Sequence, residues 1–258
     1  MLLPLRDDNP HTTTPVVNYA LIAACVAVFL WQVGLDDRAE EIAVLAYGLI
    51  PGTLFGKVLV APEVHRLPGV LTIFTSMFLH GGWLHLIGNM WFLWIFGDNV
   101  EASLGHRRYF LFYALCGLAA AVGQISLDPA SEVPMIGASG AISGVLGAYL
   151  ILHPRANVKV LVLLIIFITV VNLPAWIVLG FWFLGQLIGQ AGTAAGEPGI
   201  AFMAHIGGFV AGMALVLFFR PRSVPIFQPP ASRPFAVDTR RVGFRRRVPD
   251  SDSRGPWS

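Results

Sequence analysis

Charge is what this chain has least of: Asp, Glu, Lys and Arg make up 12% of its residues, where an ordinary soluble domain carries about 25%. With 55% of residues apolar, that deficit excludes a solvated globular domain and indicates a polytopic membrane protein whose solvent is the bilayer. Cysteine is nearly missing as well. Cys25 and Cys116 both fall inside apolar runs, without metal-ligand spacing or a disulfide framework, and read as packing residues. No His-Glu-x-x-His sequence occurs, which removes one helical zinc signature. There is no repeat of fixed period.

What is present is long apolar runs. Residues 16–33 suffice for one crossing at about 20 residues each. Ile22-Ala23-Ala24-Cys25 imitates a lipoprotein cleavage box, but much of the apolar stretch follows it, so an uncleaved first span is expected. Further spans are expected over about 83–99, 109–125 and 135–152, a fifth starting near Leu173-Pro174, and a sixth over about 200–219. Residues 158–190 are too long for one crossing and too short for two, so 158–172 are read as an apolar lead-in.

Charge placement chooses this count. Arg107, Arg108, Arg155 and Lys159 follow spans two and four, and nine of the seventeen Lys and Arg lie from Arg220 onward. The other connections carry mainly acids, namely Asp36, Asp37, Asp128, Glu132 and Glu197. Six spans with both termini cytoplasmic obey the positive-inside rule throughout. The expected class is thus an all-α polytopic membrane protein with a six-transmembrane-helix bundle. Its expected parts are a cytoplasmic N-terminal segment (1–15), a six-span membrane domain (16–220) with a long external loop (34–79) of interfacial character, and a disordered basic cytoplasmic tail (221–258). The tail's Arg240-Arg241 and Arg245-Arg246-Arg247 suit anionic lipid, and no nucleic acid is expected.

Three polar sites then share one depth. The stretch Pro134-Met135-Ile136-Gly137-Ala138-Ser139-Gly140-Ala141-Ile142-Ser143-Gly144 places the Ser139 hydroxyl among small residues, about four residues into span four. Gly140 with Gly144, or Ser143 with Gly147, would equally serve as a helix-packing face. The hydrolase elbow G-x-S-x-G is not met, because Ala141 stands where its last Gly belongs. His205 lies about five residues into span six, in a ladder formed by Ala204, Gly208 and Gly212, while His85 opens span two with Asn89 on the same face. At 1.5 Å per residue all lie within roughly 10 Å of the outer surface, and ionisable groups within a membrane are functional by default. Two close-packed small-residue faces would let His205 activate Ser139. No Asp or Glu stands in the outer half of a span to orient the imidazole, so the expected unit is a dyad. His85 and Asn89 would donate to an oxyanion. A three-histidine metal site from His80, His85 and His205 is the rival, but it lacks a nearby carboxylate or Cys, so no metal or cofactor is expected. His80 is read as structural or water-holding.

These residues resemble the rhomboid family of intramembrane serine proteases over about residues 72–219. The resemblance rests on His80-Gly81-Gly82-Trp83-Leu84-His85-Leu86-Ile87-Gly88-Asn89, on Gly137-Ala138-Ser139-Gly140, and on Ala204-His205-Ile206-Gly207-Gly208 with Gly212. It implies Ser139 as nucleophile, His205 as base, and His85 and Asn89 as oxyanion donors beside the Ser139 N–H. Two departures stand out. The Trp-Arg pair frequent in the family is missing before Leu71-Thr72-Ile73-Phe74, and Ser143 occupies a position where some members set an aromatic residue against the catalytic histidine.

The expected function is that of an intramembrane serine endopeptidase acting on single-span membrane proteins near their outer boundary, in a cell membrane (plasma or inner). The alternative is a catalytically silent rhomboid-like adaptor that binds client transmembrane helices. Adaptors typically lack the Ser or the His, and both are here. A transporter would place polar groups near the midplane in repeated halves, which this chain does not do.

Overall fold

Glycine and proline punctuate the apolar runs, and the helices begin and end at them. The computed structural model describes residues 2–10, 13–62, 64–164, 167–192 and 201–232. Helix α1 (Val16–Val33) follows Pro15, which has no N–H to leave unpaired, and stops at Gly34. The loop after it has its own structure: α2 (Asp37–Tyr47), whose Asp36 cap accepts from the Ala39 N–H at 2.8 Å, then α3 (Pro51–Leu54) and α4 (Gly69–Thr75). Helix α5 (Trp83–Leu104) turns into α6 (His106–Leu127) through the single residue Gly105, at φ 78°, a left-handed conformation that glycine adopts without strain. Helices α7 (Ser139–Leu152), α8 (Ala175–Gly192) and α9 (Phe202–Phe219) complete the bundle.

The chain is mostly helical. Among the described residues, helices α1, α6, α8 and α9 are each long and apolar enough to cross a membrane, and the helical stretch Gly69–Phe78 that begins with α4 gives, with α5, a fifth candidate span bent by 85°. Helix α7 is apolar but has only 14 residues. It is the enclosed helix: 11 of those residues are buried, which puts it inside the ring of α5, α6 and α9. The faces of α7 and α9 meet backbone to backbone. A β-carbon on Gly208 would lie 2.0 Å from the Gly140 carbonyl oxygen, one on Gly212 2.0 Å from that of Gly144, and one on Gly147 2.1 Å from that of Phe209.

One reading of the sequence needs correction. Residues 158–172 are not a lead-in but the body of a hairpin, β2 (Asn157–Leu164) and β3 (Phe167–Pro174), and the segment before α1 supplies a strand, β1 (Leu2–Asp7). The antiparallel order is β1-β2-β3, with Asp7 opposite Val158 and Asn157 opposite Pro174. A small sheet therefore joins an otherwise all-helical architecture. The cause lies in the run itself: Val158 and Val160 alternate into the core, and β-branched residues fit a pleated surface. Cross-strand pairing also satisfies peptide groups that an unpaired apolar segment would leave bare. Pro4 sits on the edge strand, where its missing N–H costs nothing, and its carbonyl accepts from Trp91 Nε1 at 2.6 Å.

At the end of the bundle opposite Ser139, polar groups tie this sheet down. Asp7 accepts from the Tyr149 hydroxyl and from Asn99 Nδ2, while Asn9 Nδ2 donates to Asn99 Oδ1 at 3.0 Å and to His153 Nδ1 at 3.2 Å. Buried Glu101 accepts from the N–H groups of Val17 and Asn18 at 2.9 and 2.7 Å, which caps the positive end of α1. Residues 221–232 return to the same place, with the Phe227 and Gln228 N–H groups on the carbonyls of Ile151 and Leu152 and Ser232 on Asn157. The arginine pair and triplet of the tail, and Glu197, lie outside the described residues.

Burial raises the Asp7 pKa to about 7; the Tyr149 bond works against this, and Asp98 and Asp8 reinforce it. A carboxyl raised in the fold binds its proton there while the unfolded chain has lost it, so its contribution to stability falls as pH rises from about 4 to about 7. His153, pushed down to about 4 by burial, has the opposite slope but only below about pH 6.5. Within the window from pH 6 to 8, the Asp7 slope therefore stands alone from about pH 6.5 to about 7 and is flat above that. Asp7→Asn is expected to flatten it and to raise the thermal midpoint at pH 8 by about 5 °C, read by scanning fluorimetry across that range.

Candidate active site

Ser139 is not four residues into its helix, as its place in the apolar run suggested, but the first residue of α7. Gly137 has φ 118°, and a β-carbon there would lie 2.7 Å from the His85 ring, so both conformation and space demand glycine. The approach is pinned from outside the bundle: Leu49 and Met135 exchange backbone bonds at 3.1 and 2.7 Å, and the Gly137 N–H donates to the Ser76 carbonyl at 2.9 Å. The helix's hydrogen bonding begins with the Ile142 N–H on the Ala138 carbonyl, so the N–H groups of Ser139, Gly140 and Ala141 have no intrahelical acceptor. The hydroxyl thus stands at the positive end of a buried helix.

His205 is the fourth residue of α9, and the glycine contact brings its Nε2 to 2.8 Å from Ser139 Oγ. The sequence pairing of these two residues is present as a direct contact. His205 Nδ1 lies 2.7 Å from Oε1 of Gln186, on α8. Sequence reasoning missed this partner because it sought a carboxylate. The available signal was an amide four residues after Trp182, on one face of an apolar helix. Trp182 also supplies the aromatic neighbour, its ring 6.1 Å from that of His205, while Ser143 turns back to donate to the Ser139 carbonyl at 2.6 Å.

His85 and Asn89 occupy the third and seventh positions of α5. The Gly81 N–H donates to His85 Nδ1 at 3.4 Å, which leaves the imidazole N–H on Nε2, and Asn89 Nδ2 is buried without a partner. All four residues line one cleft of about 880 Å³, with Trp182 and Gln186 on its α8 wall. His80 is fully buried outside it. Its Nδ1 donates to the Phe78 carbonyl at 3.2 Å, and Gln32 clamps its backbone through bonds of 3.0 and 3.3 Å. The three histidines do not converge: among the described residues no three His, Cys, Asp or Glu side chains gather as a metal site requires. Where the sequence lacks the Trp-Arg pair, Thr72 is buried and donates to the Gly69 carbonyl at 2.7 Å, and Arg66 holds the Gly48 carbonyl at 3.2 Å.

A family profile described as the rhomboid domain matches residues 68–222, more than half of the chain. The chain is similar to the mitochondrial rhomboid protein 1 of Saccharomyces cerevisiae, with 30% identity covering 76% of this chain and 51% of that protein. It is likewise similar to the rhomboid protease GluP of Bacillus subtilis, with 33% identity over 79% of this chain and 35% of that one. RHOMBOID-like protein 5 of Arabidopsis thaliana is 32% identical over 58% of this chain and 45% of its own length. The chain spans about half the length, or less, of these relatives.

Because the Ser139–His205 distance is set by glycine backbones, one methyl in that contact should disturb stability and site together. Gly212→Ala is expected to cost about 1–3 kcal/mol by overpacking and to lower the reactivity of Ser139 toward a fluorophosphonate. Gly180→Ala, with open space around its β-carbon, should change neither. Thermal unfolding and labelling rates measured on both variants check this.

Proposed function

The chain belongs to the rhomboid family, and from that premise we propose that it is a serine endopeptidase that cleaves transmembrane protein substrates within the bilayer. The observation that carries the reading is the 2.8 Å contact of Ser139 Oγ with His205 Nε2 inside a cleft that also holds His85 and Asn89. In this reading the Oγ–H proton passes to Nε2 as Oγ bonds to the scissile carbonyl carbon. The oxyanion is met by the Ser139 N–H, Asn89 Nδ2 and His85 Nε2–H. The imidazolium then protonates the departing amine as the C–N bond breaks. Water returns the sequence, giving its proton to Nε2 while its oxygen attacks the acyl carbon, and Oγ leaves with the proton.

The reading includes an orientation. Arg107, Arg108, Arg155, Lys159, Arg220 and Arg222 gather at the end opposite Ser139, while the connections at the Ser139 end carry Asp36, Asp37, Asp128 and Glu132. The positive-inside rule makes the first end cytoplasmic, together with both termini and the basic tail, and opens the cleft to the other side. A client helix hides its carbonyls in i to i−4 bonds and must open before attack. Opening is easiest near the surface, where water takes over the freed groups, so cleavage falls in the outer part of a client span.

Purified protein treated with a fluorophosphonate should carry the adduct on Ser139, mapped by mass spectrometry. Ser139→Ala and His205→Ala should each reduce cleavage of a single-span reporter to background, with no further loss in the double variant. Asn89→Ala should lower the rate by about 10² to 10³. Cleavage at an unchanged bond by Ser139→Ala would overturn the assignment, and client binding that survives in every variant without any cleavage would favour an adaptor.

A further inference from the structure

His205 uses both ring nitrogens, Nε2 toward Ser139 Oγ and Nδ1 toward Gln186 Oε1. A neutral imidazole has one N–H and one lone pair, so these contacts depend on each other. An acceptor at Nδ1 draws the proton there and leaves Nε2 with the lone pair that can take the Ser139 proton. Had Gln186 presented its NH2 instead, the lone pair would sit on Nδ1, and Nε2–H would face the hydroxyl as a donor. The amide's orientation therefore decides whether the histidine is a base.

A third contact fixes that orientation. Gln186 Nε2 donates to the Trp182 backbone carbonyl at 3.2 Å, one turn earlier on α8. Flipping the amide would set oxygen against oxygen at Trp182, losing that bond in either tautomer of His205, so the Trp182 carbonyl favours the orientation with Oε1 toward Nδ1. The Trp182 carbonyl orients the amide, the amide sets the tautomer, and the tautomer leaves Nε2 free for Ser139. The Trp182 ring, 6.1 Å from the imidazole, walls the same side.

We propose that Gln186 is the positioning residue of this site, holding His205 as the Nδ1–H tautomer with its ring aimed at Ser139; this rests on reading Ser139 and His205 as nucleophile and base. An uncharged amide suits the setting. A carboxylate in its place would bring a second charge into a region of low dielectric and stay ionised only at a desolvation cost. The amide supplies the acceptor without that cost, and with less support for the imidazolium once it forms.

The placement makes the base conditional on one helix. The buried residues of α8 are Ala175, Val178 and Leu179, all in its first turns. Beyond them α8 packs through Trp182 and Phe183 on Phe209, at ring separations of 5.9 and 4.6 Å, through Trp182 near Phe92 and Gly189 on the Phe202 ring, and through the Gln186 bond. It is the least buried of the four long apolar helices. When α8 shifts by more than a hydrogen-bond length at Gln186, Nδ1–H loses its acceptor and the tautomer is no longer chosen.

The test compares Gln186→Met, which keeps length and bulk but has no comparable acceptor, with Gln186→Glu, which keeps an oxygen at the same reach. Reporter cleavage is resolved into kcat and KM for each, fluorophosphonate labelling of Ser139 is measured beside it, and thermal unfolding confirms the fold. Positioning predicts that Met lowers kcat by about 10- to 100-fold with KM within about twofold, and that Glu retains more of kcat than Met. A packing role predicts the reverse order. A Met variant equal to wild type, or a Glu variant below Met, overturns the proposal. Nitrogen NMR of ¹⁵N-histidine-labelled protein, with His205 assigned by substitution, reads the tautomer without turnover: protonation at Nδ1 supports the proposal, and protonation at Nε2 overturns it. If wild-type protein is not labelled at Ser139, the dyad reading fails, a result separate from any on Gln186.

Discussion

The direct backbone contact between α7 and α9 is the constraint on which the site depends. Gly140, Gly144 and Gly147 on one helix face Gly208, the Phe209 backbone and Gly212 on the other, at distances that leave no room for a β-carbon. Within lipid there is little hydrophobic gain from bringing two apolar helices together, so close van der Waals contact between small residues must do it. The reward here is positional. Ser139 and His205 sit on side chains too short to bridge an ordinary helix separation of 8–10 Å with any slack, and only the glycine contact brings Oγ within 2.8 Å of Nε2.

Around that contact the chemistry is arranged from uncharged parts. The start of α7 offers N–H groups without intrahelical acceptors, Asn89 offers an unpaired amide, and Gln186 offers a neutral acceptor to the imidazole. Fixed dipoles of this kind need little reorganisation and avoid the cost of burying ions. Asp128 lines the cleft, but no acidic side chain is bonded to Ser139 or His205 among the described residues. Glu101, at the opposite end, stabilises the start of α1 rather than any step at the cleft.

Much of this was legible in the sequence, for reasons that also explain what was not. Ser139, His205, His85 and Asn89 stood out because polar residues are rare inside apolar runs, and the four-residue spacing of Ala204, Gly208 and Gly212 announced the packing face. Hydropathy could not locate the start of α7, since residues 135–138 are as apolar as a helix interior; the Gly137 conformation and the Leu49–Met135 pairing decide it. Gln186 escaped because its partner lies 19 residues away on another helix and the amide carries no charge to attract notice. Residues 158–172 were misread because hydropathy does not distinguish a buried strand from a helix. The β-branched content of Val158, Val160, Val162, Val170 and Val171 was the better guide.

The three-stranded sheet has a consequence for the order in which the molecule is assembled. Strand β1 is made before any helix of the bundle, yet its partner β2 follows only after α1, α5, α6 and α7. Ser232, which meets both Asp8 and Asn157, comes after α9. During synthesis the earliest strand must therefore wait without its partner while four helices enter the membrane, and its neighbourhood is complete only when the last helix has been delivered. A chain halted before α9 would lack Ser232 as well as His205, and with them both the final polar contact of the sheet and the partner of Ser139 at the other end of the bundle.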